Sequence, residues 1–332
     1  MKKKILVTGS EGFIGSHLVE RLVKNKYNVK AFVQYNSFNS IGWLSNIEKK
    51  YFKYIDIHFG DIRDQKNVDI ALSDCKKVFN LAALIGIPYS YQATQSYIDT
   101  NISGTHNLLQ SSLKFKIQKF IQTSTSEVYG TPKNVPITEN HKLNAQSPYA
   151  ASKVAADQMA FSFYKSFNLP VVIIRPFNTF GPRQSLRAII PTIITQILNT
   201  NNKFIKLGNI NTKRDFNYID DIIDGFLLAL NRKNIIGETI NLGSGKEYKI
   251  KEIVKIVSKI SNKKISIKID KSRLRPKASE VQRLLASHKK AKELLGWKPN
   301  FEKRNNFEEA IKRTMKWFLN NKERYFLKDY NV

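Results

Sequence analysis

The first 24 residues constrain the fold more than any other stretch. A short apolar run, Lys4–Thr8, leads into Gly9-Ser10-Glu11-Gly12-Phe13-Ile14-Gly15 and then into a helical spacing of Leu18, Val19, Leu22 and Val23. Strand, glycine turn and helix, in that order, let a backbone approach a pyrophosphate at a helix N-terminus. The glycines are spaced G-x-x-G-x-x-G, which makes Gly9, Gly12, Phe13, Ile14 and Gly15 candidate cofactor-binding residues.

The pattern that follows repeats strand and helix. Apolar strand-like runs at 28–33, 52–59, 77–81, 119–123 and 171–175 alternate with helical stretches, among them 91–113 and 149–167. Such alternation predicts an α/β fold with a doubly wound parallel sheet of the Rossmann type. After Pro176 the pattern becomes irregular. Helical stretches at 189–198, 218–230, 251–260, 289–295 and 308–319 interleave with short strands at 204–207, 239–242 and 265–269. The expected organisation is a dinucleotide-binding domain over 1–176, rejoined by about 217–235. A smaller mixed α/β C-terminal domain over 177–332 is expected to cap the sheet.

The chemistry concentrates between Thr123 and Lys153. The strand ending at Thr123 runs into Ser124-Thr125-Ser126-Glu127. A helix start follows: Ser147 as cap, Pro148 at the first position, then Tyr149 and Lys153 four apart on one face. A phenol titrates near ~10, and an adjacent cation favours its phenolate. Tyr149 is therefore a candidate base. Elsewhere, Gly60-Asp61-Ile62 opens a helix, and Leu81-Ala82-Ala83 places small residues at a strand's C-terminal edge, where parallel sheets bind ligands. A carboxylate for an adenosine ribose is expected near the end of the second strand. Val33-Gln34-Tyr35-Asn36 offers neither an acid nor an arginine, so these residues leave NAD and NADP open.

Charge and composition exclude some partners. The net charge of +28 would suit nucleic acid, but the basic residues are spread along the chain, and pairs such as Lys263-Lys264 and Lys289-Lys290 are short. No nucleic-acid partner is expected. One cysteine, Cys75, excludes an internal disulfide framework. Five histidines without ligand spacing predict no metal site. The N-terminal apolar run breaks at Thr8-Gly9, and no run of about 18 apolar residues occurs. A cytoplasmic protein with no membrane partner is the expectation.

Taken together, Thr8-Gly9-x-x-Gly12-Phe13-Ile14-Gly15, Gly60-Asp61-Ile62, Leu81-Ala82-Ala83, Tyr149-x-x-x-Lys153, Arg175-Pro176-Phe177-Asn178-x-x-Gly181-Pro182 and Arg214-Asp215-Phe216 resemble the extended short-chain dehydrogenase/reductases that act on nucleotide sugars. The resemblance covers essentially the whole chain. Ser124 to Gly130 is similar to the sugar 4,6-dehydratases, many of which carry Asp where Ser126 lies. The same Ser pattern occurs in GDP-mannose 4,6-dehydratases and in UDP-glucuronate decarboxylases. Segments 35–40, 84–91 and 189–196 look like the 4,6-dehydratase of bacterial legionaminic-acid synthesis, a route to cell-surface glycans.

This resemblance implies a tightly bound NAD, recycled within each turnover, at Gly9, Gly12, Phe13, Ile14, Gly15, Asp61, Ile62, Leu81, Ala82, Ala83, Tyr149 and Lys153. It implies catalytic roles for Thr125, Ser126, Glu127, Tyr149 and Lys153. Asn178 and Arg214, and more distantly Arg187 and Arg275, would hold a nucleotide-diphosphate sugar such as GDP- or UDP-N-acetylglucosamine. It also implies a homodimer through helices 91–113 and 149–167. A decarboxylase or a 4-epimerase on the same scaffold, or a basic nucleotide-binding protein without activity, are the competing readings.

Overall fold

The computed structural model describes residues 4–199, 203–301 and 304–325. Thirteen strands occur among them. They are β1 (Lys4–Thr8), β2 (Val29–Gln34), β3 (Ile55–Gly60), β4 (Cys75–Asn80), β5 (Lys119–Thr123), β6 (Val171–Pro176), β7 (Asn178–Phe180), β8 (Phe204–Leu207), β9 (Lys213–Tyr218), β10 (Thr239–Leu242), β11 (Glu247–Lys249), β12 (Ser266–Ile269) and β13 (Arg283–Leu284). Seven form one sheet in the order β10-β6-β5-β4-β1-β2-β3, every neighbouring pair of it parallel. This is the doubly wound α/β sheet that the alternation predicts.

Side chains along a strand alternate between faces, and here both faces are covered. Ile5, Val7, Phe79, Ile121, Val172 and Ile174 belong to one apolar cluster, shared with helices Phe13–Lys24 and Ile219–Asn231. Leu6, Val78, Phe120, Val171 and Ile173 belong to the other, with helices Gln65–Leu72, Gly104–Lys114 and Pro148–Phe167. That two-sided burial explains the continuous apolar runs. Burying each such side chain is worth about 1.5–3 kcal/mol.

Two features depart from the sequence pattern. The stretch 91–113 is not one helix. Short helices at Ile87–Ser90 and Thr94–Tyr97 are followed by a wide π-helical turn, Ile98–Ser103, before the regular helix Gly104–Lys114. The buried Asn101 lies in that turn, and its side chain bonds both backbone groups of Leu84 and the Ser152 hydroxyl. Second, β10 completes the large sheet from beyond residue 217–235, so chain on both sides of Pro176 builds it. The remaining strands form a four-stranded sheet from β7, β9, β11 and β13, and the pair β8–β12. The four-stranded sheet starts at the C-terminal end of β6, which runs directly into β7.

Candidate active site

The glycine turn has the shape an anion requires. Gly9 is at φ +62, and a Cβ there would sit 3.0 Å from the backbone of Ala82. A Cβ on Gly15 would come within 2.1 Å of the Gly9 carbonyl oxygen. The helix Phe13–Lys24 starts at Gly12 with no side-chain cap, so its first N–H groups are open to a phosphate. Thr8 braces the turn. Its hydroxyl donates to Asn80 at 2.8 Å and accepts from the Leu81 and Ala82 N–H groups at 3.1 and 3.0 Å. Leu81, Ala82 and Ala83 thus line the β4 edge beside Gly9. Ile62 is buried against Gly104. Asp61 is held by Arg63, whose Nη2 lies 2.5 Å away, and that bond keeps its carboxyl below the usual range.

Beyond β5 the chain enters a short 3₁₀ turn, Ser126–Tyr129, capped by the Thr125 hydroxyl on the Glu127 N–H at 3.2 Å. Ser147 caps the helix Pro148–Phe167 through the Ala150 N–H. The two starts face each other. Tyr149 is buried, hydrogen-bonded with Thr125, and within electrostatic reach of Glu127 and Tyr97. Burial pushes its phenol above the ordinary value, and the Thr125 bond opposes that. Lys153 donates to the Thr123 carbonyl at 2.6 Å. Its burial lowers its pKa to about 8, with Asp157 acting the other way. Desolvation thus outweighs the effect that the Tyr149/Lys153 spacing suggests for the phenol. Ile87, Tyr97 and Leu84 pack beside Tyr149 as an apolar wall.

Substrate candidates divide. Asn178 opens β7 and keeps its Oδ1 buried without a hydrogen-bond partner. Arg214 on β9 is buried beside Glu127, Arg275 and Glu280. It lies 3.5 Å from the Glu280 carboxylate, and Arg275 lies 3.8 Å from the same oxygen. Asn178 and Arg214 therefore sit on the paired strands β7 and β9, and Arg275 joins Arg214 at Glu280 from the chain before β13. Arg187 is exposed on the segment before helix Ile189–Asn199, close enough to act electrostatically on Tyr97. The N–H groups of Ser244 and Gly245 go to the buried Asp215 carboxylate.

Sequence reasoning missed the support behind the Tyr/Lys helix. Asp157 is fully buried, accepts from Ser124 Oγ at 2.6 Å and pairs with Arg175 at 3.1 Å. Arg175 donates onward to the Tyr129 hydroxyl, which donates to Asn241. The signal was present: Asp157 stands four after Lys153 and eight after Tyr149, on one helix face. No group of three or more metal-ligating side chains occurs among the described residues, and no helix among them is long and apolar enough to cross a membrane.

Comparison with known proteins agrees with this geometry. The mouse (Mus musculus) dTDP-D-glucose 4,6-dehydratase is 31% identical over 96% of this chain and 89% of its own. The UDP-glucuronic acid 4-epimerase of Bacillus cereus, solved with UDP-glucuronic acid and NAD, superposes with a TM-score of 0.84 at 31% identity, over 97% of this chain and all of that one. A dTDP-glucose 4,6-dehydratase of Streptomyces venezuelae, solved with NAD bound, gives 0.86 at 26% identity, over 97% and 99%. The family described as GDP-mannose 4,6 dehydratase matches residues 6–314. With its glycine turn, Tyr149/Lys153 pair and parallel sheet in place, the chain belongs to this family of nucleotide-sugar 4,6-dehydratases and their epimerase neighbours.

Proposed function

We propose that this chain dehydrates a nucleotide-linked hexose, N-acetylglucosamine on GDP or UDP, to the 4-keto-6-deoxy sugar, with NAD as its retained cofactor. One observation carries the reading. Glu127 is a buried carboxylate within electrostatic reach of both Tyr149 and Arg214.

The glycine turn, Leu81, Ala82 and Ala83 would hold the dinucleotide, and Lys153 its nicotinamide ribose. Held there, NAD⁺ would supply the hydride acceptor for C4 and, once reduced, the hydride donor for C6. Tyr149 takes the C4 hydroxyl proton while Thr125 hydrogen-bonds the phenol. The C4 ketone acidifies the C5 proton, which Glu127 removes. That proton leaves with the C6 hydroxyl as water, passed by Glu127 through Ser126, and the C4 hydroxyl proton held by Tyr149 returns to C5 as C6 is reduced, so one water is lost and Tyr149 and Glu127 are both restored. Asn178, Arg214 and Arg275 hold the diphosphate, with Arg187 at the rim. A dimer through 91–113 and 149–167 belongs to the same reading, supported by the exposed apolar Ile98 and Phe167 on those segments. So does a role in legionaminic-acid-type surface glycans, supported by segments 35–40 and 84–91.

The second reading is a 4-epimerase. Ser126 favours it, since many 4,6-dehydratases carry an acid there and epimerisation needs only Tyr149, Thr125 and Lys153. A UDP-glucuronate decarboxylase fits less well, because Leu84 and Ile87 give the wall beside Tyr149 an apolar surface. Mass spectrometry of products from a panel of GDP- and UDP-sugars separates the three. Loss of one water from a substrate supports dehydration. An epimer of unchanged mass, or loss of carbon dioxide, overturns it.

A further inference from the structure

In this fold class a carboxylate at the end of the second strand receives the adenosine ribose, yet β2 ends in Gln34, followed by Tyr35. The structure brings a carboxylate to the same place from another segment. Glu11, inside the glycine turn, reaches across to the end of β2. Its Oε1 accepts from the Gln34 backbone N–H at 3.0 Å. The chain after β2 is built around that acid. The Asn36 side chain donates to the Gln34 and Ser40 carbonyls at 3.1 and 3.0 Å and accepts from the Ser40 N–H at 2.9 Å. The Trp43 N–H donates to the Glu11 carbonyl at 3.0 Å. Gly42 is at φ +54, and a Cβ there would lie 2.7 Å from that carbonyl oxygen, so loop and acid fit together only with glycine.

One oxygen is left over. Glu11 Oε2 is buried and has no hydrogen-bond partner. Burial raises the carboxyl above its ordinary value, while the backbone N–H of Gln34 and its own N–H lower it. A buried acceptor without a donor is costly, and one that faces a ligand position is explained by the donor the ligand brings. The loop that covers this acid is itself solvent-facing, with Tyr35 71% and Phe38 88% exposed. Arg63, just beyond β3, is already bound by Asp61.

We propose that Glu11 takes the place of the missing β2 acid: its carboxylate accepts the 2′- and 3′-hydroxyls of the adenosine ribose and repels a 2′-phosphate. The glycine turn thereby both cradles the pyrophosphate and selects NAD over NADP. This inference rests on the NAD-dependent reading above. Equilibrium titration with NADH and NADPH, followed by nicotinamide fluorescence, tests it on the wild type, Glu11→Gln and Glu11→Asp. Gln preserves the acceptor for Gln34 and removes only the charge. The wild type should prefer NADH. Glu11→Gln should bind NADH about ten- to hundredfold more weakly and narrow the preference over NADPH, at an unchanged melting temperature. Glu11→Asp should keep the preference. A Glu11→Gln protein with the wild-type NADH to NADPH ratio would reduce Glu11 to a tie for the β2 loop and overturn the proposal, as would a wild type that prefers NADPH. A wild type that binds neither dinucleotide would instead sink the NAD-dependent reading itself.

Discussion

Asp157 accepts a 2.6 Å hydrogen bond from Ser124, which joins the middle of the Tyr/Lys helix to the residue just after β5. Ser124 precedes Thr125, and Asp157 lies one turn beyond Lys153. The contact therefore fixes the spacing between the two segments that carry the catalytic candidates. Arg175 closes the arrangement from β6, with 5% of its side chain exposed and none of Asp157's. Asp157→Asn leaves that buried guanidinium without a counter-charge, with the Tyr129 hydroxyl as its remaining partner. The expected cost is about 3–5 kcal/mol of unfolding free energy, read by chemical denaturation. A loss below about 1 kcal/mol would show that the pair does not hold the helix.

Glu127 is assigned to C5 and to nothing earlier. Glu127→Gln should lower water loss at least about 100-fold while the purified protein retains its dinucleotide. Single-turnover absorbance of reduced nicotinamide should then show C4 oxidation without dehydration. Near-normal product formation removes Glu127 from the mechanism.

Gly15→Ala tests the cradle. The added methyl would meet backbone, the Gly9 carbonyl at 2.1 Å, so the turn itself must move. Cofactor content after purification should fall more than about tenfold, because the pyrophosphate depends on that close approach. Full retention of the dinucleotide would show that the turn does not cradle it.

Lys153 makes stability depend on pH in a definite direction. Its pKa is about 8 folded and 10.5 ordinarily. Between those values the unfolded chain binds the extra proton, so this group's contribution to stability rises with pH, by up to about 1.4 kcal/mol per unit. Below pH 8 the burial cost of the charged lysine is fully present, and above 10.5 it is gone. The stability difference between wild type and Lys153→Met should shift toward the wild type across that window in urea titrations. A difference that stays flat there contradicts a buried, depressed lysine.

The sequence and the structure agree best where period and capping act together. Lys119–Thr123, Phe204–Leu207, Thr239–Leu242 and Lys289–Leu295 have the expected bounds, and the helix at Ser147 begins where cap and proline place it. Strand β9 was not visible because Lys213 to Asn217 is polar in composition. Arg214, Asp215 and Asn217 are buried by pairing rather than by hydrophobicity, Asp215 through the backbone of Ser244, Gly245 and Ala286. The π-turn at Asn101 escaped for a related reason. Side-chain bonds to a distant loop, not helical periodicity, hold it. Glu11 could be read as one more residue of a glycine turn until β2 was laid beside it.

The outer position of β10 has a consequence for how the molecule is made. During synthesis β6 is finished well before Thr239–Leu242 leaves the ribosome. Until then the backbone edge from Ile173 to Pro176, which Thr239 to Leu242 covers in the finished sheet, stays open. Nascent chains stalled between the two strands carry a ready template for pairing with one another, and this interval is where a chaperone would be needed most.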